Sequence, residues 1–364
     1  MIRTDAVVIG AGPVGLFQVF QLGLLGLSAE LIDVLPEAGG QCVALYPDKP
    51  IYDIPGVPRC TGRELTQLLL AQCQPFLPPD HGTGRPRNLH LGQQVTHLEV
   101  DRSQPEAPIF QLHTSTGEHF EARAVFIAAG AGAFVPRSLP IPGLDKDAQP
   151  VNLHYHLPAD GLPAPWAGQH LVVAGGGDEA LQSVLDVLAA PPEQRPIRLS
   201  LLHRRDQFQA DAELDRQVRA CIAQGQIDLV LGMPQGADLS DTQRLSCLHL
   251  LGADGQARTL PLDHLLVRQG LSPKLGPLSN WGLALERKQI AVDTVAYASS
   301  IPGIHAVGDI NTYPGKKRLL LCGFHEATMA AHAAATRLRP LDPPQLLYTT
   351  TSHVLHQRLG ITQG

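Results

Sequence analysis

Hydrophobic and polar positions at the start of the chain follow a strand, then a helix, then a strand. The apolar run at 7–9 reads as a buried strand, a helical stretch continues through Leu25, and Ala29-Glu30-Leu31-Ile32-Asp33 resumes a strand that ends in a carboxylate. The same succession returns at 170–174, with a helix expected through about Ala189 and a second strand over 197–202. Two further apolar stretches, 124–131 and, more loosely, 263–270, have the composition of a last strand before the chain crosses between domains. Between Gly132 and Gly143 the proline-rich run reads as a stiff extended linker. Toward the C-terminus, 301–309 predicts a strand ending in Gly308-Asp309 and a helix follows from about Gly323 to Leu338. Val354, Leu355 and Leu359 recur at helical spacing near the end of the chain.

The turns between these elements carry glycines where a dinucleotide would need them. Gly10-Ala11-Gly12-Pro13-Val14-Gly15 joins the first strand to its helix: Gly10 permits the tight turn, Gly12 lets backbone approach a pyrophosphate, and Gly15 allows close helix–strand packing. Asp33, about 20 residues on, is placed to accept hydrogen bonds from ribose hydroxyls. The second unit reads Gly175-Gly176-Gly177-Asp178-Glu179-Ala180, and its second strand ends in His203-Arg204-Arg205. Two guanidinium groups stand where the first unit has a carboxylate, and a cationic fork suits a 2′-phosphate. FAD in the first unit and NADP(H) in the second is the implied pairing; the bland alternative for Arg204 and Arg205 is a solvated charged turn. The fold class is therefore α/β with two Rossmann-like nucleotide-binding domains. The FAD domain is formed by 1–133 and 264–364, with an extension at 340–364, and the NADP domain, 134–263, is inserted into it.

In a flavoprotein, an acid such as Asp309 at a strand end can hold the ribityl or pyrophosphate region. A helix N-terminus at Gly323–His325 would face the flavin pyrimidine edge and stabilise negative charge there. Taken alone, Asp309 also reads as a turn former or helix cap. Composition narrows the picture further. The chain has 364 residues, 44% hydrophobic and 17% charged, with a net charge of −6, which is an ordinary globular balance without the basic footprint of nucleic-acid binding. Apolar stretches fall short of the roughly 20 residues needed to span a bilayer, so a cytoplasmic protein without a membrane segment is expected. The six cysteines, Cys42, Cys60, Cys73, Cys221, Cys247 and Cys322, show no CxxC spacing; neither a metal site nor a local redox disulfide is expected, and small buried side chains are the simplest reading.

The stretches GGQCVALYPDKPIYDIPG, GGGDEA with HRRDQF, LSPKLGPLSNWGL, SIPGIHAVGDINTYPGK and LLCGFHEATMAAH resemble the thioredoxin-reductase-like ferredoxin–NADP reductases along nearly the whole chain. The resemblance implies a homodimer in which NADPH gives a hydride to bound FAD and single electrons pass to ferredoxin or flavodoxin. It also implies that Asp33 binds the adenosine ribose, that Gln41 and Tyr46 contact the flavin with Tyr46 stacking near the ring, and that Val95 lies by the adenine. Phe134 and Asp309 would line the FAD site, with Thr351, Ser352 and His353 of the C-terminal extension reaching the partner subunit's flavin. The NADP contacts would come from Gly175, Gly177, Asp178, Ala180, His203, Arg204 and Arg205. No residue is needed as a general acid or nucleophile. Glu179 stands where a small hydroxyl residue is usual, Gln209 replaces an arginine, and the loop from Pro75 to Gln93 is longer than expected. Competing readings are a disulfide reductase, for which 152–156 offers no cysteine, an NADPH oxidase or quinone reductase, and a non-catalytic flavin redox sensor.

Overall fold

The computed structural model of the chain describes residues 1–80, 86–101, 103, 107–139, 141–142, 144, 150–157 and 164–361; the side chains of 133–136 and 271–273 are outside the described ones. Two compact units are present: Met1–Ala133 with Pro273–Gly364, and Phe134–Ser272. The expected return at 264 is therefore too early. His264–Val267 is a parallel strand between Leu153–His154 and His170–Ala174 and belongs to the inserted unit's sheet.

In the first unit Ile2–Ile9 lies between Ala29–Ile32 and His119–Ile127, parallel to both, and Leu89–His90 extends the sheet beyond Ala29–Ile32. His119–Ile127 has two neighbours on its far side. Its first half pairs antiparallel with Ile109–Thr114, and its second half pairs parallel with Ile304–Ala306. Alternation sorts the strands' side chains. Ala6, Val8, Ala124 and Phe126 join a core with Leu16, Val19 and Leu22 of the helix Pro13–Leu24 and with Ala330, Ala331, Ala334 and Ala335 of the helix Leu320–Leu338. Val7, Val125 and Ile127 enter a second core with Ile304 and Ile310. The alanine face lets the helix Leu320–Leu338 lie close to its neighbours, and the parallel strands all end at one edge, where ligands of such sheets bind. The expected boundaries of this helix shift: it begins at Leu320, after the N-cap Leu319, which places Gly323 inside it. A capping box between Thr61 and Glu64 starts the helix Gly62–Cys73.

The second unit has a five-stranded parallel sheet in the order Leu153–His154, His264–Val267, His170–Ala174, Arg198–His203 and Asp228–Leu231. Leu171, Val173, Leu201 and Leu266 pack under the helices Asp178–Ala189 and Ala212–Ala223. Val172, Ala174, Leu202 and Leu265 pack against Leu248 and Leu250 of an antiparallel three-stranded layer, Met233–Leu239, Leu245–Leu251 and Ala257–Pro261. The three central strands thus bury both faces, which is why these segments read as nearly unbroken apolar runs.

Candidate functional site

The three glycines of the first unit do different work. Gly10 has φ 110°, and a Cβ there would stand 2.4 Å from the Ala128 carbonyl oxygen, so only glycine makes the turn. A Cβ on Gly15 would fall 1.7 Å from the Gly10 oxygen, so the helix could not lie this close to the turn. Gly12 is unlike both: the nearest atom to a Cβ there is the Gly40 Cα at 3.9 Å, and the space beside it is open. Gly12 is also the N-cap of Pro13–Leu24, and no side chain caps that end. The result is a cradle of backbone with an unclaimed helix start, suited to a pyrophosphate. Gly39 and Gly40 close it. The Gly39 amide donates to the Ala11 oxygen at 2.9 Å, and Gly40, at φ 55°, brings its backbone against Gly12.

Asp33 sits at the end of its strand and is 8% exposed. Its Oδ2 accepts from the Ala11 amide at 2.5 Å and its Oδ1 from the Leu35 amide at 2.8 Å. Burial pushes its carboxyl above the usual range, against the opposing pull of these backbone donors. Asp33 therefore holds the glycine loop. Each oxygen has a second lone pair for a hydroxyl.

Other expected residues converge on the same edge. The Gln41 amide nitrogen lies 2.8 Å from where a Cβ on Gly130 would be, and Gly130 has φ 58°. Tyr46 OH lies 3.5 Å from the Cys42 sulfur; burial, then that contact, drives the Tyr46 hydroxyl well above its ordinary value, so it stays protonated. Asp309, in the turn Gly308–Ile310, is near enough to raise both Tyr46 and Cys42. Burial also raises Asp309 itself, and Lys316 and Arg318 oppose that shift. The sequence reading missed Gly40 and Gly130, whose positive φ leaves no periodic signal, and Glu326, whose position one turn before Ala330 already places it on the buried alanine face.

Val95 is 4% exposed and packs in the core with Val7 and Ile32, and two residues before it the Gln93 amide donates to the Asp33 carbonyl oxygen at 2.9 Å. Phe134 lies in the strand Ala133–Pro136, with its side chain outside the described ones. Thr351 and Ser352 form the turn into the helix His353–Arg358, with Ser352 as its N-cap. That helix docks beside the far end of Pro13–Leu24. The long loop between Pro75 and Gln93 contains 81–85, outside the described residues.

In the second unit a Cβ on Gly175 would be 2.2 Å from the Arg268 oxygen and 2.8 Å from the Ala180 Cβ; Ala180 is fully buried, which explains the small residue there. Gly177 caps Asp178–Ala189 without a side-chain bond. His203 does not reach outward. Its ring lies against Gly176, and Nδ1 donates to the Arg205 oxygen at 2.8 Å, which fixes the turn that carries the two arginines. Arg204 and Arg205 are exposed, and among the described residues neither guanidinium has an ion-pair or hydrogen-bond partner. Asp178 Oδ1 accepts from the Asp211 amide at 2.7 Å, tying two helix starts together, so its role is structural before it is ligand-binding. Glu179 is exposed in the first turn, and the Gln209 amide donates to the Gly176 oxygen at 2.7 Å.

Two sheet-and-helix units, each with its own glycine cradle, define the class of two-nucleotide oxidoreductases, and the chain belongs to the pyridine nucleotide-disulphide oxidoreductase family, whose profile matches residues 4–337. It is 50% identical over 357 residues to a ferredoxin–NADP reductase of Acidovorax sp. (strain JS42), covering 98% of this chain and 95% of that one. A ferredoxin–NADP reductase of Verminephrobacter eiseniae is 49% identical, with 99% and 98% covered. Among solved structures, a thioredoxin reductase of Lactococcus lactis matches with TM-score 0.55 at 21% identity, over 93% of this chain and 99% of that one. A bacillithiol disulfide reductase of Staphylococcus aureus matches with TM-score 0.60 at 14% identity, over 93% and 99%. These two likenesses show the fold.

Proposed function

We propose that the chain is a ferredoxin–NADP reductase, with FAD held by the first unit and NADPH by the second. The carrying observation is the near-full-length identity of about half to relatives of that name. The residues present fit both nucleotides: the open backbone beside Gly12 and the uncapped helix start suit the FAD pyrophosphate, and the unpartnered Arg204 and Arg205 suit a 2′-phosphate. Bound FAD supplies the exchange between hydride transfer and single-electron steps. The chain's own residues orient and enclose it. Asp33 receives the adenosine ribose, Gln41 and Tyr46 border the flavin, and Asp309 takes the ribityl region.

Disulfide reduction is disfavoured by chemistry, since it needs a dithiol beside the flavin. No two of the six cysteines stand at CxxC spacing, and Cys42 is buried with its thiol raised by burial, which suppresses the reactive thiolate. The acceptor that the names of the relatives support is a one-electron carrier, ferredoxin or flavodoxin, ahead of oxygen or a quinone. The working form is a cytoplasmic homodimer in which Thr351, Ser352 and His353 of one copy lie over the flavin of the other. Anaerobic titration of the purified yellow protein with NADPH, followed by ferredoxin or thioredoxin, tests the reading. Flavin bleaching by NADPH and reoxidation by ferredoxin are expected; efficient thioredoxin reduction would replace it with the disulfide-reductase reading.

A further inference from the structure

Glu326 is fully buried in Leu320–Leu338, and four donors converge on its carboxylate. Oε2 accepts from the Gly308 amide at 2.7 Å and from Asn311 Nδ2 at 2.9 Å; Oε1 accepts from Tyr313 OH at 2.9 Å and Lys316 Nζ at 2.5 Å. Lys316 also donates to the Gly308 oxygen at 2.9 Å. Gly308, at φ 80°, is thus gripped at both its amide and its carbonyl, and the next residue is Asp309. A Cβ on Gly308 or Gly323 would meet Val14, at 3.4 and 2.5 Å. The gripped turn therefore rests on the first turn of the helix Pro13–Leu24, whose N-cap is Gly12.

Only an ionised carboxylate has acceptor capacity for four donors; an amide in its place would present an NH2 to some of them. A buried ion pair is in general no more stabilising than an apolar pair of similar volume, so stability alone does not account for placing one here. What this pair uniquely provides is a fixed Gly308 backbone beside the cradle.

We propose that Glu326 is a positioning residue of the flavin site, acting through Gly308 and Lys316 to hold the turn that presents Asp309 to FAD. The inference rests on FAD occupying the first unit. Its test uses purified holoenzyme of wild type, Glu326→Gln and the double variant Glu326→Gln with Lys316→Met, which leaves no unpaired buried charge. Thermal midpoint, rate of FAD release on dilution (read by free-flavin fluorescence) and flavin midpoint potential are measured. The double variant should recover most of the midpoint lost in Glu326→Gln, yet release FAD about tenfold faster, the factor expected from losing one charge-assisted hydrogen bond, and show a shifted potential. A double variant with wild-type release rate and potential would overturn the inference and leave the pair as a strut. Should the Glu326 variants not fold, Tyr313→Phe removes one donor at smaller cost and should release FAD about threefold faster; an unchanged rate there overturns the inference equally. A wild-type protein purified without flavin would instead defeat the FAD reading.

Discussion

Arg358 donates through Nη1 to the Leu24 carbonyl at 2.5 Å, which pins the C-terminal extension to the far end of the glycine-loop helix. Arg339 adds bonds to the Leu25 and Gly26 oxygens at 3.0 and 2.7 Å, so two guanidinium groups cap carbonyls at the negative end of that helix. Leu355, 4% exposed, packs underneath. The helix Pro13–Leu24 is about 18 Å long at 1.5 Å per residue, so the docked extension lies well away from its own cradle. In the proposed dimer the flavin within its reach is the partner's. Truncation after Leu346 should leave FAD bound but admit solvent and oxygen to the ring. NADPH consumption in air without acceptor should rise several-fold; unchanged consumption would show the extension to be idle in shielding.

Cofactor preference should rest on Arg204 and Arg205, whose guanidinium groups are exposed beside the second cradle. Charge-assisted bonds to a 2′-phosphate contribute roughly 1.5–3 kcal/mol each, a factor of about ten or more. Replacing both by Ala should raise the KM for NADPH by at least that factor and leave NADH efficiency nearly unchanged. Equal loss with both nucleotides would assign the arginines to the fold instead.

Of the three consecutive cations at 316–318, Lys316 is spent inside the protein on Glu326, which leaves Lys317 and Arg318 exposed as the candidate patch for an acidic electron carrier. Charge reversal at Lys317 and Arg318 should slow association with ferredoxin, and the difference from wild type should shrink with added salt. Stopped-flow rates across ionic strength provide the measurement, and a salt-independent wild-type rate would remove these residues from the docking surface.

His305 makes one stability prediction. It is 3% exposed, stacks on Phe126 with ring centroids 5.0 Å apart, and donates from Nδ1 to the Ala296 oxygen at 3.0 Å. Burial pushes its pKa down to about 4. Between the ordinary value of about 6.5 and this one, the unfolded chain binds a proton that the folded chain refuses, so stability is lost as pH falls, by up to roughly 1.4 kcal/mol per pH unit. His154, also held down to about 4, first by burial and then by His264, adds a slope of the same sign. His305→Phe keeps the ring stack and should flatten the acid side of the thermal-midpoint profile; an unaltered slope would exclude His305 as its source.

Local chemistry made much of this protein legible. The two strand–helix–strand units, the steric demands of Gly10 and Gly15, and the cationic end of Arg198–His203 all follow from residues close in sequence, because periodicity and φ restrictions act over a few positions. Other features depended on which distant segments meet. Whether His264–Val267 closes the inserted unit is decided by its pairing with His170–Ala174, nearly a hundred positions away, and nothing in its own composition specifies that partner. Nothing in the cationic run 316–318 marks Lys316 as the one that folding buries against Glu326. Glu326 itself is one acid in an alanine-rich helix, and its meaning arises only when the helix brings it under Gly308. Burial and pairing are properties of the assembled sheet edges and helix faces, so tertiary structure alone could assign these roles.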